Sequence, residues 1–255
     1  APTYGEHRDC LELSHDEMLK VRELCNNLDV DFICTPFDEP SIEALKQMDI
    51  DAVKVASFDL GNLPFLERVA SLGKPVVIST GGGNLEQVSA SVELFEEHGL
   101  KQAILHCVSK YPCPAKDLLL GRIQVLVDKF PNSIIGSSDH FNGILSGPIA
   151  YMLGARVFEK HVTFDRSQKG TDHSFSLERE GFRKFVRDIN RTQDMLYSEL
   201  PLDLGQEPVF ARLGKSITSN CEIKRGQIIT INMLSGKIFS KPGIPVRQSQ
   251  RIIGK

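Results

Sequence analysis

Six short runs of apolar, largely β-branched residues constrain this chain more than anything else in it. They are "DFICTPFD" (31–38), "AVKVAS" (52–57), "PVVISTG" (75–81), "AILHCVS" (103–109), "SIIGSSDH" (133–140) and "RVFEKHVT" (156–163). Each is apolar where it starts and polar where it stops. Continuous rather than alternating apolar residues read as strands buried on both faces, the habit of a parallel sheet. The starts fall about 20–30 residues apart, the length of a strand plus its returning helix. Helical patterns fill the gaps. "SHDEMLKVRELCNNL" carries Ser14 and Glu17 at capping-box spacing. "NLEQVSASVELFEEHG" has apolar residues at helical spacing and stops at a glycine. "GILSGPIAYMLGA" and "LEREGFRKFVRDINRTQDML" complete the set.

Six alternating units allow a doubly wound sheet or a barrel. The polar strand ends favour the barrel. Ser57 and Asp59, Thr80, Ser109 and Tyr111, Asp139 and His140, and His161 stand at the carboxyl ends of different strands. Sites of (β/α)8 TIM-type barrels are assembled in that way, whereas an open sheet concentrates its chemistry at one switch point. The expectation is an α/β barrel with six of eight βα units visible. Either two units lie outside this sequence or the fold is a different one. After Leu200 the texture changes. Residues 1–199 read as the barrel domain, 200–211 as a Pro/Gly-containing linker, and 212–255 as a small β-rich module with turns at Lys224–Gly226 and Pro242–Gly243.

Composition narrows the function. A net charge of -3 and scattered basic residues leave no electrostatic footprint for nucleic acid. No apolar run approaches the ~18–20 residues of a membrane span. The six cysteines form no C-x-x-C pair, and Cys34 and Cys107 sit in apolar strand runs. A reduced, cytoplasmic protein is therefore expected. No secretory signal opens the sequence. Its start at Ala1 is compatible with processing and with a fragment.

Four constellations carry chemistry. His140 and His161 end consecutive strands, which lie about 4.8 Å apart in a parallel sheet. Their imidazoles could share one metal ion, or be two independent core histidines. "SSDH" and "EKH" set a carboxylate near each, as orienting partners of metal-bound histidine often are. Two histidines with oxygen ligands suit Mn, Fe, Co or Zn. Lys54 interrupts an apolar strand, so it is paired, facing a site, or snorkelling at a rim. In a site it would serve as a Schiff base or an anion clamp. "STGGGNLEQV" places three glycines between strand and helix, which can cradle phosphate or simply make a tight turn. "HCVSKYPCP" could hold substrate hydroxyls with Ser109 and Tyr111, or be a structural turn.

Taken together, these stretches resemble the sialic acid synthase family, the N-acetylneuraminate, legionaminic and pseudaminic acid synthases. The carriers are "LELS", "CTPFD", "VKVASFDLGNLPFLERVASLGKPVVISTGG", "HCVSKYP", "GSSDH", "GARVFEKHVTFDRSQKGTDHSFSLE" and the closing "KPG" and "IIGK". The resemblance implies a (β/α)8 barrel followed by a SAF (antifreeze-like) β-module. It implies that the first two barrel units precede residue 1, and that the module stops short of its usual end. It implies condensation of phosphoenolpyruvate with an open-chain N-acetylated amino sugar, N-acetylmannosamine or a relative, to a nine-carbon 2-keto acid and phosphate.

By that resemblance His140 and His161 bind a divalent metal, usually Mn2+, with Mg2+ or Co2+ as alternatives. Thr35, Lys54, Ser57, Ser79, Ser109 and Ser138 hold the phosphate and carboxylate of phosphoenolpyruvate, and Lys54 is an electrostatic clamp rather than a Schiff base. Tyr111 and Asp172 contact the sugar. Asp59 stands where many members have glutamate. Lys241 stands where an arginine of the module reaches the partner barrel in a homodimer, and a lysine lacks the planar fork. Asp165 and Arg166 read as an ion pair or turn bracing the last barrel loop, and His173 has no assigned role. Two alternatives stand beside this: an inactive fragment or binding form of such a synthase, and a polysaccharide-biosynthesis relative using another sugar.

Overall fold

The computed structural model describes residues 3–197 and 207–255. Contacts divide the chain into two units, Ala1–Tyr197 and Ser198–Lys255. The first unit runs α1 (Tyr4–Asp9), α2 (His15–Asn27), β1 (Ile33–Cys34), α3 (Glu39–Lys46), β2 (Ala52–Val55), α4 (Leu63–Ala70), β3 (Val76–Ser79) and α5 (Leu85–Glu97). It continues with β4 (Gln102–Cys107), α6 (Arg122–Lys129), β5 (Ile134–Asp139), α7 (Ser146–Met152), β6 (Val157–Lys160) and α8 (Arg179–Tyr197).

Each of the six expected runs meets one strand, β4 starting one residue before its run at Gln102, and each strand is shorter than its run. The polar ends explain the difference. Thr35, Ser57, Thr80, Ser109, His140 and His161 lie just past their strands, in the loops that lead to the helices. The capping box at Ser14 forms, with Glu17 returning to the Ser14 backbone N–H at 2.8 Å. Asn84 and Gln87 make a second one at the start of α5. The chain leaves α5 through Gly99 at φ 68°, a conformation glycine adopts without steric cost. The short helices α3, α4 and α6 are additions to the sequence reading. Proline in the first turn of α3 and α4 presets the helical φ.

The strand pairs of this unit are all parallel, and the order β1-β2-β3-β4-β5-β6 follows the chain without reversal. A doubly wound sheet reverses at a switch point; this one does not. The sheet also curls. Lys54 on β2 and Glu159 on β6 are four strands apart, about 19 Å in a flat sheet at ~4.8 Å per strand. Their charged atoms lie 3.6 Å apart. Six parallel strands thus form a curled half-barrel.

Successive residues of a strand face opposite sides, so each strand divides its side chains between helices and hollow. Val53, Val55, Ile78, Ile104 and Ile135 face outward and pack with Leu66, Val92, Phe95, Ile123 and Leu126 of the helices. Each such burial is worth about 1.5–3 kcal/mol. Lys54, Ser79, Cys107 and Ser138 face the hollow and are themselves buried. Gly136 lets β5 and β6 close up: a Cβ there would sit 2.4 Å from the Val157 carbonyl oxygen. β2 and β4 are buried along their whole length, while β1 and β6, at the edges of the described sheet, are not.

The second unit has α9 (Pro208–Leu213), β7 (Ser216–Ser219) and the antiparallel β8 (Leu234–Lys237). Residues 200–206 of the expected linker lie outside the described residues. The rest of that segment enters α9, whose first turn holds Pro208. The module is less β-rich than expected: the described residues contain two short strands, with turns and 3-10 helices between and after them. The turn at Lys224 forms, with Gln227 N–H donating to the Lys224 carbonyl at 3.0 Å and Gly226 at φ 83°. Such turns break the chain before strands can lengthen.

Candidate active site

The last residues of β5 and β6 set the geometry. Ser138 and His140 face the hollow from one strand, Glu159 and His161 from the next, and Ser138 pairs with Glu159 in register. The rings of His140 and His161 stand 5.2 Å apart, at 72° to one another. His140 Nδ1 lies 2.9 Å from the Val108 carbonyl oxygen. A carbonyl only accepts, so Nδ1 is the donor, and in the neutral ring Nε2 is then the nitrogen with the free lone pair. His161 Nδ1 lies 3.6 Å from Asp172 Oδ2. Burial, and then the neighbouring His140, hold the His161 pKa below the ordinary histidine value, which keeps that ring neutral. Phe175 packs against both imidazoles, and the Tyr111 ring lies 4.0 Å from that of His140.

Among the described residues no three His, Cys, Asp or Glu side chains gather to hold a metal. The two imidazoles are a pair. Imidazoles, each with one ring nitrogen left for a ligand bond, fit a divalent cation that keeps open positions for water or substrate oxygen. The carboxylates adjacent in sequence do not orient them, contrary to expectation. Asp139 precedes His140 by one residue, so the strand turns it to the opposite face, where it pairs with Lys160 at 2.9 Å. Glu159 shares the face of His161 but reaches Ser138 and Lys54 instead. A backbone carbonyl takes the orienting role for His140.

The other half of the hollow is cationic and rich in hydroxyls. Lys54 Nζ donates to the Val55 carbonyl at 3.0 Å and lies 3.6 Å from Glu159 Oε2. Burial pushes its pKa down, against the pull of Glu159. Ser138 donates to Glu159 Oε1 at 2.6 Å. The Ser79 hydroxyl is buried and has no hydrogen-bond partner among the described residues. Gly81 N–H donates to Ser57 Oγ at 3.0 Å. A Cβ on Gly81 would fall 2.4 Å from Ser109 Oγ and 2.8 Å from Ser57 Oγ. The first glycine of "STGGG" is therefore a close-approach glycine, and it gathers Ser57 and Ser109 at the rim. A cavity of about 680 Å³ between α5 and α6 is lined by Asn84, Val88, Arg122 and Leu126 as well as by Cys107 and Ser109.

Other residues singled out in the sequence lie elsewhere. Asp59 accepts from Asn62 Nδ2 at 3.0 Å within its own turn. Thr35 lines a different cavity, of about 690 Å³, with His15, Pro36 and Asp38. Lys241 is an exposed residue of the second unit. In the loop after β6, Asp165 and Arg166 make turns rather than an ion pair. Asp165 accepts from Ser167, while Arg166 donates to Asn142 Oδ1 at 2.7 Å and to the Ser174 carbonyl. His173 meets the Thr163 hydroxyl at 2.7 Å. Sequence reading assigned Glu159 to His161 rather than to Ser138 and Lys54, and missed Phe175. The two-residue alternation of "RVFEKHVT" already puts Glu159 on the face of His161; nothing local marks Phe175.

The NeuB family model matches residues 1–200 of the chain. The N-acetylneuraminate-9-phosphate synthase of Drosophila melanogaster is 33% identical over 281 residues, covering 99% of this chain and 75% of that protein. The N,N'-diacetyllegionaminic acid synthase of Legionella pneumophila is 33% identical over 255 residues, covering 97% and 70%. Among solved structures, the N-acetylneuraminic acid (sialic acid) synthetase of Leptospira borgpetersenii, in complex with citrate, superposes with a TM-score of 0.72. It is 33% identical, and the match covers 79% of this chain and 71% of that one.

Proposed function

This chain belongs to the NeuB family, and we propose that it joins phosphoenolpyruvate to an open-chain N-acetylated amino sugar, N-acetylmannosamine or a relative. Its relatives make it a sialic-acid-type synthase. The products would be a nine-carbon 2-keto acid and phosphate. C3 of phosphoenolpyruvate bonds to the aldehyde carbon, whose oxygen takes a proton. Water adds its hydroxyl at C2, and loss of phosphate leaves the C2 ketone.

One observation carries the reading. A buried lysine with a lowered pKa shares the hollow with a buried serine hydroxyl that has no partner among the described residues, and two imidazoles stand at the same rim. Unmet donors beside a buried cation call for an anion with several oxygens. Lys54, Ser79, Ser138, Ser57 and Ser109, with Thr35, are proposed to hold the phosphate and carboxylate. Glu159 holds Lys54 and Ser138 before substrate arrives. Tyr111 and Asp172 flank the imidazoles and are proposed to contact the sugar, with Asp59. A divalent ion held by His140 and His161, Mn2+ or else Mg2+ or Co2+, would polarise the aldehyde oxygen. Phe175 keeps water from one side of that pair.

The rest of the reading leans on the resemblance. The six units are proposed as part of an eight-stranded (β/α)8 barrel, the second unit as a SAF-type module, and the assembly as a homodimer in which Lys241 serves the partner. A cytoplasmic setting is proposed on the free state of all six cysteines. Among the described residues no helix is long and apolar enough to cross a membrane. The test is phosphate release from phosphoenolpyruvate with Mn2+ and a panel of N-acetylated sugars. Release that depends on one sugar supports the reading; none with any sugar sinks it.

A further inference from the structure

We propose that the buried Asp139–Lys160 pair is a positioning device that fixes His140 relative to His161. It rests on the metal-site reading above. The two residues are register partners on β5 and β6, each one step before a histidine. Their charged atoms are 2.9 Å apart, and their side chains are 4% and 1% exposed. The pair lies on the helix side of the sheet, so it touches neither the hollow nor its contents.

Its other bonds converge on the backbone around His140. Asp139 Oδ1 accepts from Phe141 N–H at 2.7 Å, and Lys160 Nζ donates to the Phe141 carbonyl. Ser146 donates to Asp139 Oδ2. From the far side, Cys113 N–H donates to the His140 carbonyl at 3.0 Å. The residue after His140 is thus held at both its N–H and its C=O by two side chains that also tie β5 to β6. Stability alone does not account for the pair. Desolvating two charges offsets most of their attraction, and apolar replacements of buried pairs are often neutral or stabilising. What a pair adds is a single permitted geometry, and a metal-binding constellation tolerates only about 0.5 Å and 10–20° of play.

The test compares the full chain with its Asp139→Asn/Lys160→Met variant, which keeps the hydrogen bond to Phe141 N–H but removes both charges. Three readings are taken: thermal melting, Mn2+ titration by calorimetry, and the ring tautomer of His140 by 15N NMR without metal. The expected result is a similar melting temperature, a Mn2+ dissociation constant raised at least tenfold, and a His140 ring that exchanges between tautomers. A variant that melts cooperatively, binds Mn2+ as the parent does and keeps one tautomer overturns the proposal. If the parent itself takes no Mn2+, the metal reading fails, and the tautomer alone decides for or against positioning. If the double variant does not fold, Ser146→Ala, which loosens Asp139 without removing charge, takes its place. A several-fold weaker Mn2+ affinity with tautomer exchange would support the proposal, and unchanged values would overturn it.

Discussion

Lys54 Nζ and Glu159 Oε2 meet at 3.6 Å across the hollow of the sheet, from β2 and from β6. The contact exists only because the sheet curls, and it holds a cation where a multiply charged anion is proposed to bind. Replacing Lys54 with methionine keeps the packing volume of the stem and removes the charge. Charge-assisted hydrogen bonds contribute about 1.5–3 kcal/mol. The Michaelis constant for phosphoenolpyruvate should therefore rise about tenfold to a hundredfold, in steady-state phosphate release, while that for the sugar changes little.

The same lysine predicts a pH dependence. Burial lowers its pKa from the ordinary lysine value, with Glu159 opposing. A lowered pKa means that the neutral amine forms at lower pH than on an exposed lysine. Affinity for phosphoenolpyruvate should accordingly be full below the folded value and fall as pH rises through it, ahead of ordinary lysine titration. A pH profile of kcat/KM flat up to the range of free lysine would count against Lys54 as the clamp.

Gly81 admits no side chain without moving Ser57 or Ser109. Gly81→Ala should cost about 1–3 kcal/mol of stability by overpacking and weaken phosphoenolpyruvate binding as well. Gly82 has φ 73° but open space, so alanine there should act through backbone conformation alone. Urea denaturation and substrate titration of both variants separate the two causes.

His140→Ala should abolish measurable Mn2+ binding by calorimetry. Asp172→Asn, which removes the charge beside His161 Nδ1, should weaken it about tenfold, the usual lower bound for an orienting partner. Equal affinity in wild type and His140→Ala would place any metal elsewhere.

The core makes a contrast of its own. Ile104 is fully buried on the helix side of β4, whereas Ile33 on β1 is 48% exposed. Ile104→Ala should lose about 2–5 kcal/mol, and Ile33→Ala well under 2, by chemical denaturation.

Much of this was legible in the residues. Apolar starts and polar stops located all six strands and put His140, His161, Ser57 and Ser109 at the rim, because a parallel strand is buried along its length and ends at solvent. The partners of those residues were not. Asp139 looks like a neighbour of His140 in sequence and is on the other face in space. Glu159 looks like a neighbour of His161 and serves Lys54 instead. Asp165 and Arg166, adjacent and opposite in charge, point to different partners.

The sequence by itself determined which residues lie on which face of each strand and which stand at its carboxyl end. Those properties follow from a two-residue period and from local polarity, and need no knowledge of the rest of the chain. Only the tertiary structure decided that Lys54 meets Glu159, that a Val108 carbonyl rather than a carboxylate sets the His140 tautomer, and that Phe175 packs on both imidazoles. Such contacts depend on register and on the curl of six strands at once, and those are set by how all the outer side chains pack against the helices.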